Sequence, residues 1–231
     1  MPRSLWRTID LSVLPDVVPL ALAVAVTGAS FGAIAVSSAV PVWLVCAMSL
    51  LVFAGGSQFM AVGVVATGGS PVAAVLAGLL LNARHLPFGL ALGEVLGTGL
   101  ASRVVGCHLI IDETTAFALA QRDPRRARVG FWTCGITLFT TWNLATLVGA
   151  EVGQLIGDPN RFGLDAAFPA ALLALLMPTL RTTAPRRAAV VGAAVAVAAT
   201  PLLPAGIPVL LSVTGVVAAG REAPPRGVGS P

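Results

Sequence analysis

The chain has 231 residues, of which 56% are hydrophobic and 10% are charged, whereas an ordinary soluble domain carries about 25% charged residues. This composition argues against a water-soluble fold. The net charge is +4, and all basic residues are arginines in short segments between apolar runs, which fits the positive-inside bias of membrane proteins better than a nucleic-acid surface.

Residues 17–83 contain no Asp, Glu, Lys or Arg. About 20 apolar residues are enough to cross a hydrocarbon core of about 30 Å, so this run holds at least two crossings. Its apolar character is continuous rather than alternating, which favours helices over strands. No polar mature region follows the first run, so we expect no cleaved signal peptide. The predicted fold class is all-α, a polytopic integral membrane helical bundle.

The first three helices follow from apolar runs and the turns between them. They are predicted over residues 15–37, 40–66 and 71–94, with turn-forming Ser, Gly and Pro residues in between. Pro87 lies inside the third run and is expected to kink that helix, because proline lacks the N–H that a helix interior needs. The residues before Leu14 are expected to stay in the cytoplasm.

Charged residues interrupt the middle of the chain. Residues 97–121 are assigned to a fourth, polar crossing, and the arginine-rich loop that follows is placed in the cytoplasm. Residues 129–150 form the fifth crossing, and residues 164–180 form the sixth.

The uncharged residues 188–220 fit either one long interrupted helix or two short ones. The prediction is therefore about seven or eight crossings, some of them discontinuous, with both termini cytoplasmic. Residues 1–220 are expected to form a single transmembrane domain. The Pro/Gly-rich residues 221–231 are expected to form a disordered cytoplasmic tail.

Gly55, Gly56, Ser57 and Gln58 stand in the middle of an apolar crossing. A glycine pair loosens a helix, and discontinuous membrane helices point free N–H groups at anionic substrate groups. Ser57 and Gln58 would add side-chain donors. The alternative is that the glycines only permit close helix packing, which is also the interpretation of the G-x-x-x-G pattern at residues 28–32 in the first helix.

Asn82, Arg84 and His85 fall inside or at the edge of the third crossing, where Asn82 and His85 share a helical face by their i,i+3 spacing. An arginine at membrane depth costs about 2.5–3.5 kcal/mol and persists mainly where it faces a bundle interior or a wet cavity. These three side chains are therefore candidate substrate contacts. The alternative is an arginine that extends to the interface beside a structural histidine.

His108 and Asp112 are expected on one helical face by their i,i+4 spacing, with Glu113 adjoining them. Asp112 and Glu113 could contact a substrate ammonium, relay a coupling proton or pair with Arg84. Alternatively, the two acids begin or end a helix at the interface and contact water.

The same segments resemble the AzlC family of branched-chain amino acid permeases, the large subunits of bacterial exporters. The matching pieces are residues 28–32 (GASFG), 53–59 (FAGGSQF), 80–89 (LLNARHLPFG), 130–142 and 168–172, together with Asp112, Glu113 and Gly149. They occur in family order over most of the chain.

The resemblance implies secondary transport that exports branched-chain or similar neutral amino acids across the cytoplasmic (inner) membrane. It also implies a small membrane partner of the AzlD type. In this hypothesis the segment 55–58 receives the substrate carboxylate, the 82–85 cluster forms the adjoining wall, and Asp112 or Glu113 faces the ammonium or a proton. The expected partners are the amino-acid substrate, the lipid bilayer and the small subunit.

Two rival functions come from other classes. An intramembrane enzyme using His85, His108 and the two acids would need metal-ligand spacing such as H-E-x-x-H, which is absent, and the three cysteines form no C-x-x-C pair. We therefore predict no enzyme activity, catalytic residue, metal or cofactor. A non-transporting scaffold subunit, or a permease for another small solute, stays an alternative.

Overall fold

The computed structural model describes residues 13–156, 173, 177, 179–204 and 206–218. Within these ranges the chain forms helices and turns, with no strand, which confirms the all-α prediction. The predictions for residues 1–12, for most of the sixth crossing and for the tail at 221–231 fall outside the described residues.

The helices follow the apolar runs of the sequence and stop at turn residues or at breaks inside the runs. In chain order they are α1 (Leu14–Ser37), α2 (Val42–Val52), α3 (Gly55–Ala66), α4 (Pro71–Asn82), α5 (His85–Ala91), α6 (Gly93–Leu96), α7 (Leu100–His108), α8 (Asp112–Leu119), α9 (Pro124–Ile156), α10 (Thr183–Ala199), α11 (Ile207–Leu211) and α12 (Gly215–Ala218).

In the part of the chain that the structure describes, two helical segments are long and apolar enough to cross a membrane. They are Leu14–Ser37, with a mean hydropathy of 2.0, and Pro71–Ala91, with a mean hydropathy of 1.3. Three shorter apolar helices lie at Val42–Val52, Gly55–Ala66 and Ile207–Val217. The first two of these form one interrupted run, so a count of crossings depends on how broken helices are paired.

Helices α1 and α9 approach each other backbone to backbone. A Cβ atom added at Gly32 would collide with the carbonyl oxygen of Thr146, and one added at Gly149 would collide with the carbonyl oxygen of Ala29. Small residues let membrane helices approach backbone to backbone in this way. The packing interpretation of the G-x-x-x-G pattern is therefore confirmed.

We expect Gly149→Leu to destabilise the protein strongly. Overpacking usually costs about 1–3 kcal/mol, and the cost should reach or exceed that range here because the obstructing atoms belong to the backbone of Ala29. The measurement is the thermal unfolding midpoint in detergent. Gly63→Leu is the matched control, since a Cβ at Gly63 meets nothing within 4 Å. Equal midpoints for the two variants would contradict the close α1–α9 contact.

Helices α10 and α11–α12 fold back on each other. A Cβ at Gly192 would lie 2.6 Å from the carbonyl oxygen of Ser212, and one at Gly215 would collide with the carbonyl oxygen of Ala188. Gly206 begins the return with a φ of +92°, a conformation that glycine adopts without steric cost. Of the two options for residues 188–220, the structure has two short helices.

Three of the breaks between the described helices bear on the site. Between α2 and α3, Phe53 takes a left-handed conformation (φ +32°) and Ala54 is non-helical, with φ −146° and ψ 84°. Between α7 and α8, Ile111 is extended, with φ −134° and ψ 175°. The third break separates α4 from α5 at residues 83–84.

Pro87 accounts for the break at residues 83–84. Proline cannot donate to the carbonyl four residues earlier, which is that of Ala83, and this carbonyl accepts a 3.1 Å bond from the N–H of Leu86 instead. Pro87 itself lies in the first turn of α5, where an N–H has no helical partner in any case. The predicted kink is present, one turn before the proline.

Candidate functional site

The break before α3 exposes the start of a helix in the interior of the protein. Gly55 is the first residue of α3, and the first N–H groups of a helix have no intrahelical acceptor. These donors, with the positive end of the helix dipole, form a general binding site for an anionic group. The Ser57 hydroxyl donates back to the carbonyl of Ala54 at 2.9 Å, so it supports the break itself.

Both glycines of the break are in contact with large side chains. A Cβ at Gly55 would lie 2.7 Å from Cη2 of Trp142, and a Cβ at Gly56 would lie 3.4 Å from Nη2 of Arg84. An indole ring therefore covers one side of the α3 start, and a guanidinium lies against the other. A larger residue at Gly55 would displace the ring.

Gln58 is the most informative polar residue in this region. Its side chain is 1% exposed, and neither Oε1 nor Nε2 has a hydrogen-bond partner among the described residues. Leaving a buried donor or acceptor unpaired costs about 1–3 kcal/mol. A bound molecule that satisfies the amide would recover that free energy.

Arg84 and Asp112 form an ion pair with an Nη2–Oδ2 distance of 2.9 Å. The pair joins the turn between α4 and α5 to the first residue of α8, where a negative charge is also favoured by the helix dipole. Their side chains are 34% and 26% exposed. Pairing with Arg84 was one of the predicted roles of Asp112, and the structure has this pair.

Asn82 and His85 contact each other through the backbone. Nδ1 of His85 lies 3.1 Å from the carbonyl oxygen of Asn82, and the His85 ring lies edge-on to Phe88 at 5.8 Å between centroids. Oδ1 of Asn82 is buried and has no partner among the described residues. The contact therefore stabilises the break through His85. Oδ1 of Asn82 remains available to a ligand.

The prediction that His108 and Asp112 share one helical face is wrong. His108 ends α7 and Asp112 begins α8, with extended Ile111 between them. Thr114 holds this turn: its hydroxyl donates to the carbonyl of Leu109 at 2.8 Å and accepts from the N–H of Ile111 at 3.0 Å. No glycine or proline marks this break at residues 109–111, so the sequence predicts a continuous segment there.

His108 has a different role, which the sequence analysis missed. Its Nε2 lies 2.8 Å from the carbonyl oxygen of Leu50, one of the carbonyls left without a helical donor at the end of α2. Its ring also lies 5.5 Å from that of Phe139. His108 therefore connects the end of α7 to the end of α2, and so brings two of the breaks together.

Glu113 follows Asp112 in the first turn of α8 and is partly buried. The Arg84 ion pair uses Asp112 and leaves the Glu113 carboxyl outside it. Over the ranges that the structure describes, no three His, Cys, Asp or Glu side chains are grouped so that they could hold a metal ion.

The fold thus brings three helix breaks to one place. His108 joins the α2–α3 break to the α7–α8 break, and Arg84 joins the α4–α5 turn to both Asp112 and Gly56. Interrupted helices with buried polar side chains, in a chain of apolar helices, define a membrane protein with an internal polar site.

Comparison with known proteins agrees with this class. The family model described as AzlC protein matches residues 19–156, which is more than half of the chain and includes all three breaks. The chain belongs to the AzlC family, as the resemblance in the sequence indicated.

The relatives are similar at modest identity. The branched-chain amino acid transport protein AzlC of Bacillus subtilis (strain 168) is 26% identical over 182 residues, covering 76% of this chain and 70% of that protein. An uncharacterized membrane protein of Helicobacter pylori is 23% identical over 185 residues, covering 79% and 81%. One of Haemophilus influenzae is 25% identical over 118 residues, covering 51% and 48%. No solved structure matches the chain.

Proposed function

We propose that this chain is a secondary transporter that exports branched-chain, neutral aliphatic amino acids across the cytoplasmic membrane. The observation that carries the proposal is the meeting of three helix breaks around the unpartnered, fully buried amide of Gln58. The printed name of the Bacillus subtilis relative supports the substrate class.

The substrate carboxylate would bind at the start of α3. The N–H groups of Gly55, Gly56 and Ser57 precede the bond from the N–H of Gln58 to the carbonyl of Ala54. Nε2 of Gln58 has no acceptor among the described residues, and Nδ2 of Asn82 would add a further donor from the adjoining wall. Arg84 is already neutralised by Asp112, so its positive charge positions the site more than it attracts an anion. The substrate ammonium, or a coupling proton, would then face Glu113 or Asp112.

The aliphatic side chain of the substrate would lie against aromatic rings. Phe53 and Phe59 are 4% and 7% exposed and lie on both sides of the glycine pair in the sequence. Burying one methylene group contributes about 0.8 kcal/mol. A pocket of this kind would distinguish valine from leucine only modestly.

Topology and partners belong to the same proposal. The chain would cross the membrane about seven or eight times, with broken helices counted as single crossings, and both termini would be cytoplasmic. A small AzlD-type membrane subunit would associate with it. Residues 1–220 would form one transmembrane domain.

The test is flux of labelled valine, leucine, isoleucine and methionine from proteoliposomes, with and without a co-expressed small subunit. We expect efflux of the branched-chain amino acids above that of protein-free liposomes. Efflux of none of the four under either condition would overturn the proposal and favour a scaffold subunit. Efflux of other solutes only would favour a permease of different specificity.

A further inference from the structure

A cavity of about 470 Å³ lies where α1, α8 and α9 begin or end. It is separate from the α3 start and lies on the side of the arginine-rich loop. Its lining combines charges of both signs with apolar side chains; the residues used below are Asp16, Phe117, Gln121, Arg125, Arg126 and Val129.

The charged groups of this cavity are exposed, and among the described residues they form no ion pair with one another. Asp16 lies in the first turn of α1, and Arg125 and Arg126 lie in the first turn of α9. Among the described residues, no ion pair joins Asp16 to either guanidinium. Both arginines lie at the positive end of a 33-residue helix, where a cation is unfavourable and where Asp123 already accepts a 3.2 Å hydrogen bond from the N–H of Arg125.

The apolar part of the cavity has a defined shape. The ring of Phe117 lies against Gly130, where an added Cβ would come within 2.9 Å of Cε1. Val129 and Phe117 are both partly buried. A volume of this size falls within the range of about 300–1,000 Å³ that is usual for small-molecule sites.

We propose that this cavity is a loading site for a zwitterionic aliphatic amino acid, which binds here before it reaches the α3 start. Asp16 contacts the substrate ammonium, Arg125 or Arg126 contacts the carboxylate, and Phe117 and Val129 contact the aliphatic side chain. The substrate class rests on the proposed function; the site itself is distinct from the one at Gln58.

Helix α8 connects the two sites. Asp112 is its first residue and belongs to the site at the α3 start. Phe117 lies five residues further on, which is about 7.5 Å along a helix axis. Gln121 follows just beyond its end. The loading cavity and the Arg84–Asp112 pair therefore lie towards opposite ends of one helix.

The first test is a kinetic one. We expect Asp16→Asn and Arg126→Gln each to raise the half-saturation concentration for leucine flux about tenfold, while the maximal rate stays close to that of the unaltered chain, because uniform binding is lost without loss of a transition-state contact. Arg122→Gln is the matched control, since it removes the same charge from the same loop outside the cavity. An equal rise for Arg122→Gln, or no rise for Asp16→Asn, would overturn the proposal.

The second test needs no transport. In a chain with Cys46, Cys107 and Cys134 replaced by alanine, Gln121→Cys places a single thiol in the cavity lining. Leucine should slow its modification by a soluble maleimide, and 4-methylpentanoate and isopentylamine, which are leucine without its ammonium and without its carboxylate, should slow it less. No protection by leucine would overturn the loading site even where flux is intact. Protection without any flux would keep the site and reject the proposed transport function.

Discussion

Replacing Gln58 by leucine is expected to reduce amino-acid flux at least about tenfold, a loss of about 1.4 kcal/mol in substrate or transition-state binding. The reason is that the amide is buried without a partner among the described residues, which is costly unless a ligand uses it. The same substitution should leave the fold as stable or more stable, because an unpaired buried polar group is replaced by an apolar group of similar size.

The measurement compares proteoliposome flux with the unfolding midpoint of the same preparation. Gln154→Leu is the matched control, because Gln154 is exposed and bonds only to Glu151 at 3.4 Å. A Gln58→Leu protein that transports at the normal rate would show that the amide has no part in substrate binding. Opposite changes in stability and flux are typical of residues kept for function.

Substitutions in the Arg84–Asp112 pair should lower stability as well as flux, unlike the substitution of Gln58. Asp112→Asn alone leaves an unpaired guanidinium, and removing one partner of a buried pair costs about 3–5 kcal/mol; the cost here should be smaller, because both side chains are partly exposed. We expect a lower unfolding midpoint and flux near the background. In the double variant Arg84→Gln, Asp112→Asn, the midpoint should largely recover.

The double variant separates a structural role from a transport role. If the pair takes part in transport, flux stays near the background although stability returns. Recovery of normal flux would assign the pair to structure alone and leave Glu113 as the remaining candidate for the ammonium or the proton. Both quantities are read from the same purified proteins.

The parts of the site that could be predicted from sequence are those with a local cause. The glycine pair indicated the α2–α3 break, and Pro87 indicated the α4–α5 break. The second break lies at residues 83–84 rather than at Pro87 itself, because Pro87 cannot donate to the carbonyl of Ala83. The α7–α8 break could not be predicted in the same way. It depends on the extended conformation of Ile111 and on the hydroxyl of Thr114, and a threonine in an apolar run is ordinary.

Contacts between segments that are distant in the sequence could not be predicted either. The Arg84–Asp112 pair was one of several roles open to these residues, because spacing along a chain says nothing about which crossings are neighbours. Trp142 was missed as a site element, and the contact of His108 with α2 was missed, for the same reason. Trp142 matters only because α9 carries its ring to Gly55, and His108 only because α2 ends beside it.

The glycine contacts make the packing of α1 against α9 closer than the packing of α3 against α4. Two backbones that touch at Gly32 and Gly149 leave no space for a side chain between them, so a motion that brings a larger residue to this contact makes atoms overlap. Helices α3 and α4 meet less closely, since a Cβ added at Gly78 would be in ordinary contact with Ser57 at 3.6 Å. If the chain is the proposed transporter, we expect α3 and α4 to move more than the α1–α9 pair when it opens to opposite sides of the membrane.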